Sequence, residues 1–260
     1  MNAVLTIAQT TFREALRRRV LNIILVFAVV SIGASRLFSW LSPGEEIKFI
    51  LDMCSNSIRF FSMLIAVLLG ASMIPTEIER RTIFSILSKP VGRTQFMLGK
   101  YLGALLTLLV NVAILSALFL LVLFFKDKDR GYLLNPTLWK GILLVLVEVG
   151  VLLAIAVAVS TVASTAFNVV FSFFVYFTGQ MGGVFKELSA PTHVTSPAVR
   201  VLMGLIYNLL PHFENFDLRQ PLLLGDPVPL VFMGKVIGGA VLYIGVVLAV
   251  GHLLFAQREF

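Results

Sequence analysis

Between Val20 and Phe255 the sequence repeatedly runs for about 18 or more residues with few or no charged side chains. Nothing else in it narrows the fold so far. Charged residues make up 13% of the chain, about half the share that a soluble domain carries. The apolar runs are continuous rather than alternating, which favours membrane-crossing helices over a barrel. The expected fold is an all-α polytopic membrane protein, a single transmembrane domain over residues 1–260.

Six spans fit the pattern: residues 20–41, 58–74, 95–125, 138–162, 166–185 and 230–255. Residues 3–19 read as an amphipathic elbow helix in the membrane interface. Val4, Ala8, Phe12, Ala15 and Leu16 fall on one face; Thr10, Arg13, Glu14 and Arg17 fall on the other. Arg17 to Arg19 before an apolar run imitates a secretory signal, but the run is long enough to span and reads as an uncleaved first span. A short polar helix is expected near Ile47 to Ser57, ahead of the second span. Residues 187–229 form an external segment holding six of the ten prolines. Its apolar stretch after Ser196-Pro197 is too short to cross, so a short re-entrant or interfacial helix is expected between spans five and six.

Six spans put both termini on one side. The arginines before the first span and Glu45-Glu46 after it favour a cytoplasmic N-terminus. The net charge of +7 fits basic residues facing an anionic leaflet. No nucleic-acid partner is expected, because no aromatic-basic or zinc-finger pattern is present. The single cysteine, Cys54, excludes an intrachain disulfide and a cysteine metal cage, and no metal site is expected.

Catalytic motifs are missing. Gly99-Lys100 and Gly234-Lys235 lack the earlier glycine and the following Ser or Thr of a phosphate-binding loop, so the chain is not expected to bind ATP itself. The three histidines, His193, His212 and His252, are scattered. Glu148 is the carboxylate within a span, and an ionisable group there is a functional hypothesis by default. It reads as a proton relay, a polar lining for a substrate path or a helix–helix hydrogen bond, in an intramembrane polar site with Asn111 and Asn168, or as a buried structural acid bonded to Asn111 or a backbone carbonyl. Ser160, Thr161, Ser164, Thr165, Thr178 and Gln180 add modest polarity near spans four and five. A stand-alone secondary transporter or channel coupled through Glu148 is the competing function. Gly99 with Gly103, and Gly234 with Gly238, have the spacing that lets helices approach closely.

The most polar ordered-looking stretch is Pro75 to Gly103. Thr76 and Glu79 have capping-box spacing, and Glu77 stands four residues before Arg81. Ile78, Ile83, Ile86 and Leu87 supply an apolar side, and Pro90 ends the helix. Thr94 can cap the third span. A rigid helix over residues 76–88 follows, serving either as a docking element or as a solvated connector.

The run EIERRTIFSILSKPVGRTQFMLGKYLG resembles the signature segment of the type-2 ABC transporter permease family. Glu77 or Glu79, Thr82, Leu87, Pro90, Arg93, Gly99 and Lys100 stand at its signature positions. Leu209 to Phe216, LLPHFENF, is also similar to the subgroup associated with multicopper-enzyme maturation, which includes the nitrous oxide reductase accessory permease. The resemblance implies that residues 76–88 are a cytoplasmic coupling helix docking on a separate ABC ATPase subunit. The contact would fall on Thr76, Glu77, Glu79, Arg80, Arg81, Thr82, Ser85, Leu87, Pro90 and Arg93. It further implies a homodimer of permeases in the inner membrane, with ATP and Mg bound by the partner ATPase and no cofactor in this chain. Export or mechanical work would follow, with the external segment gating the outer side and room for a periplasmic accessory protein.

Overall fold

The computed structural model describes residues 3–41, 44–79, 92–127, 131–189 and 197–257. All regular structure among them is helical. The order is α1 (Ala3–Leu16), α2 (Arg19–Phe38), a 3-10 turn (Ser39–Leu41), α3 (Glu46–Ser72), α4 (Pro75–Glu79) and α5 (Arg93–Lys126). Then come α6 (Pro136–Ser160), α7 (Thr165–Gln180), α8 (Gly182–Ser189), α9 (Pro197–Leu209), a 3-10 turn (Phe213–Phe216), α10 (Arg219–Leu224) and α11 (Leu230–Ala256).

Five helical stretches are long and apolar enough to cross a bilayer: α2, α3 continued through α4, α5, α6 and α11. The pair α7–α8, bent by 61°, is a sixth candidate. The chain is therefore a multi-pass membrane protein.

Helix α6 forms the centre. Glu148 through Ala158 are all buried, and a helix buried all round must be covered by neighbours. Those neighbours are chiefly α3 and α11. Its start is set locally: Asn135 caps it by accepting from the Thr137 N–H at 2.9 Å, and Pro136 occupies the first helical position. At the periphery, Ile23, Val26, Phe27 and Val30 on α2, and Val231, Val241, Leu242 and Val246 on α11, stay exposed. On a membrane protein such faces need no protein partner, since lipid tails are as apolar as they are.

Two expectations change. The polar helix and separate short second span are one continuous 27-residue helix, Glu46–Ser72. Nothing in the sequence breaks it, because neither glycine nor proline occurs before Gly70. The fifth span is not straight to residue 185; it ends at Gln180 and restarts in another direction at Gly182. The Glu214 carboxylate accepts from the Gly183 N–H there, serving a donor that the new helix start frees.

Helix α1 lies across the start of α5. A Cβ at Gly99 would stand 2.8 Å from the Ile7 Cβ, and one at Gly103 2.5 Å from the Ala8 carbonyl oxygen. These two glycines are what let the backbones meet. The face of α1 turned inward therefore centres on Val4, Ile7, Ala8, Thr11 and Ala15. Leu16, expected on the apolar side, is exposed. A Cβ at Gly234 or Gly238 would meet nothing within 4 Å, so this second pair packs against no helix among the described residues.

Candidate functional site

Two polar arrangements stand out, one at the end of the bundle where α1, α4, the start of α5 and the end of α11 meet, the other inside the bundle.

At the bundle end, Ile74, Phe96 and Phe255 are fully buried, with Ile7 and Ile78 packed on them. Phe96 stacks on Phe255 at a centroid distance of 6.1 Å. Lys100, only 6% exposed, ion-pairs with Glu77 and lies 5.7 Å from the Phe96 ring centre. Arg93 donates to the carbonyls of Phe255 at 2.9 Å and Ala256 at 2.7 Å. Those are acceptors that the end of α11 leaves unpaired, and a cation belongs there.

Arg80, Arg81, Thr82, Ser85, Leu87 and Pro90, six of the ten expected docking residues, lie outside the described residues. Of the other four, Glu77 and Arg93 are turned onto the chain itself, so they brace the base of the segment. Thr76 is not an N-cap. The helix has already begun at Pro75, and the Thr76 hydroxyl donates back to the Ser72 carbonyl at 2.6 Å. The expected Thr76–Glu79 capping box is therefore replaced by a proline start. Glu79 is exposed at the end of α4. Thr94 does not cap α5 either: Gly92 is the cap, its N–H donating to Gln95 Oε1 at 3.4 Å. The Thr94 hydroxyl lies 3.4 Å from His252 Nε2.

Inside the bundle, Glu148 is fully buried and pairs with Arg59. Arg59 Nε donates to Glu148 Oε2 at 2.8 Å, and its Nη1 meets Asp217 Oδ2 at 2.7 Å. Gln180 donates to the other Glu148 oxygen at 2.9 Å. Arg59 lies roughly 20 Å along α3 from Glu46, and Glu148 roughly 18 Å along α6 from Pro136, at the helical rise of 1.5 Å per residue. The pair therefore sits near mid-bundle.

Asp217 reaches it because the segment Pro211–Leu224 dips inward. Phe213 is fully buried against Tyr176. It can seat there because a Cβ at Gly179 would come within 2.6 Å of its ring. Arg219 clamps Asp217 from its side chain at 2.6 to 2.9 Å, donates to Asn56, and reaches Asp52 at 3.5 Å. Burial alone would push the Asp217 carboxyl up. The hydrogen bonds from Arg219 and the charge of Arg59 outweigh it and hold the group below the usual carboxylate range.

The structure does not bring Asn111 or Asn168 to Glu148. Asn111 donates to the Thr107 carbonyl at 2.8 Å, and Asn168 to the Ala156 carbonyl at 2.7 Å. Ser160 and Thr161 likewise donate to carbonyls of their own helix. Asn111 is thus satisfied within α5, while Asn168, Ser160 and Thr161 satisfy carbonyls near the end of α6. Arg59, Asp52, Asn56, Asp217 and Arg219 were missed. A signal existed: Asp52, Asn56 and Arg59 stand at i, i+4 and i+7, one face of a continuous helix. Reading a break before Ile58 hid it.

Comparison with known proteins adds the decisive observation. A family model described as ABC-2 family transporter protein matches residues 5–260. The chain belongs to the ABC-2 transporter family. Two proteins described as probable ABC transporter permease protein NosY are similar to parts of this ABC-2 chain. The one from Stutzerimonas stutzeri is 34% identical over 122 residues, 44% of this chain and 43% of that protein. The one from Pseudomonas aeruginosa is 34% identical over 108 residues, 40% of this chain and 39% of that protein. The matches thus span less than half the length of these relatives. Membership makes this chain a membrane protein of the ABC-2 transporter type.

Proposed function

We propose that this chain converts ATP hydrolysis on the partner ATPase into movement across the inner membrane, for export of a substrate or for mechanical work on an outer partner. ATP and Mg are bound by that partner. The ATPase docks on residues 76–88 at the cytoplasmic face, where both termini also lie, and a second permease copy completes the assembly. The inward-dipping segment Pro211–Leu224 closes the outer side, where a periplasmic accessory protein has room to bind.

The observation that carries this reading is the knot around Lys100. Glu77 stands at the start of the docking segment and Arg93 follows it, and they are tied to α5 and α11 respectively. A push on residues 80–91 is then delivered to α1, α5 and α11 together, because Ile7, Phe96 and Phe255 share one buried cluster. A segment on loose ends could not transmit force this way. The Glu148-driven secondary transporter has less support, since that carboxylate is committed to Arg59 and Gln180.

The test is purification of the tagged chain from its native membrane. An ATPase polypeptide and vanadate-sensitive hydrolysis should accompany it. Lys100→Glu should uncouple or shed the ATPase, and Lys100→Glu combined with Glu77→Lys should restore it. A chain that extracts alone and supports no hydrolysis overturns the proposal.

A further inference from the structure

A groove of about 390 Å³ runs between α11 and the stretch from Asn208 to Phe216. Its α11 wall is Phe232, Val236 and Ala240, residues at helical spacing on one face, and Val151 and Phe216 form its floor. Among the described residues, Lys235 is the charged side chain that lines it, and no acidic one does. Lys235 stands roughly 8 Å along α11 from Leu230, at headgroup depth, while Tyr243 at the other end of the groove stands roughly 20 Å along, within the hydrocarbon. His212, on the same rim, has a ring Nε2 with no partner among the described residues. The helix that forms the wall is the one whose Val231, Val241, Leu242 and Val246 face lipid.

We propose that this groove holds one acyl chain of an anionic phospholipid, with the headgroup phosphate at Lys235. Position decides the class of occupant: only a membrane-borne molecule reaches a groove on a lipid-facing helix. The polarity runs the right way, from a cation near the helix start to an apolar slot deeper in. A lone cation with no carboxylate beside it favours an anionic over a zwitterionic headgroup, by about fivefold for one lysine near a membrane surface. A chain seated there rests on Phe216 and so braces the inward-dipping segment against α11. The proposal does not depend on the ATPase reading, because lipid retention is measured on this chain alone.

The experiment uses the full chain purified in detergent and offered phosphatidylglycerol or phosphatidylcholine with identical acyl chains, read by native mass spectrometry and thermal midpoint. Wild type should retain phosphatidylglycerol about fivefold more than phosphatidylcholine and be stabilised by it, as expected for one surface lysine. Lys235→Glu should abolish the preference. Gly239→Leu, at a position lining the groove where an added Cβ meets nothing within 4 Å, should reduce retention of both lipids. Val241→Leu, on the open face, should leave retention unchanged. No preference in wild type, a preference that survives Lys235→Glu, or a lipid-free dimer cross-linked through Lys235 each overturns the proposal, the last in favour of a second copy of the chain.

Discussion

The knot at the bundle end and the charge cluster inside the bundle use the same kinds of residue to different ends. The knot is built on the Lys100–Glu77 pair and the stacked rings of Phe96 and Phe255. In the cluster, Arg59 spans two carboxylates, and each of those is held by a further donor, Glu148 by Gln180 and Asp217 by Arg219. Removing Glu77 takes the partner from one buried group, Lys100. Removing Arg59 takes a partner from two carboxylates at once, the fully buried Glu148 and the partly buried Asp217. The knot thus ties α4 to α5 through one pair, and the cluster holds α3, α6, α7 and the inward-dipping segment in one arrangement.

The comparison breaks most visibly at Arg59. Arg59→Met should cost about 3–5 kcal/mol, the range for breaking a buried pair by removing one partner, read as a lower thermal midpoint in detergent. Adding Glu148→Gln should recover part of it, because one stranded charge is then gone. A loss no greater than that of Glu77→Gln would mean the two regions do not differ as described. Next comes Gly103→Leu, which drives a side chain into the Ala8 carbonyl and Thr11. It should cost about 1–3 kcal/mol by overpacking and loosen α1, seen as faster proteolysis near the N-terminus. Gly238→Leu, meeting open space within the chain, should leave the thermal midpoint of the monomer unchanged.

A smaller effect is expected at Glu77. Glu77→Gln should cost about 1.5 kcal/mol, the low end of the range for a hydrogen bond to a charged group, while sharply lowering ATPase stimulation in the assembled transporter. The smallest concerns acid. The carboxyl of Asp217 is held below its unfolded value. Its stabilising contribution is therefore complete above about pH 4, the ordinary aspartate value, and is lost as pH falls through the lower folded value. Asp217→Asn should destabilise equally at pH 6 and pH 8, and the gap to wild type should narrow only in strong acid.

Much of this molecule was legible along the chain. Asn135-Pro136 starts α6 as the residues require, and Gly225, at φ 78°, ends α10 in the left-handed conformation that glycine permits. Gly99 and Gly103 carry the spacing for close approach, though their partner α1 is a tertiary fact. Thr76 shows where local reading fails: its spacing to Glu79 is that of a capping box, but a proline one residue earlier had already begun the helix. Ser57 fails similarly, since a polar residue can stay in a helix by donating to its own backbone, here to the Met53 carbonyl.

By itself the sequence determined that this is a helical membrane protein, because apolar runs of this length have no other place to go. It also determined most helix starts, which depend on a few neighbouring residues. Only the tertiary structure decided what Glu148 does. Its partners Arg59 and Gln180 lie 89 and 32 residues away, and the charge of a buried group is settled by whatever the packing of the helices brings against it.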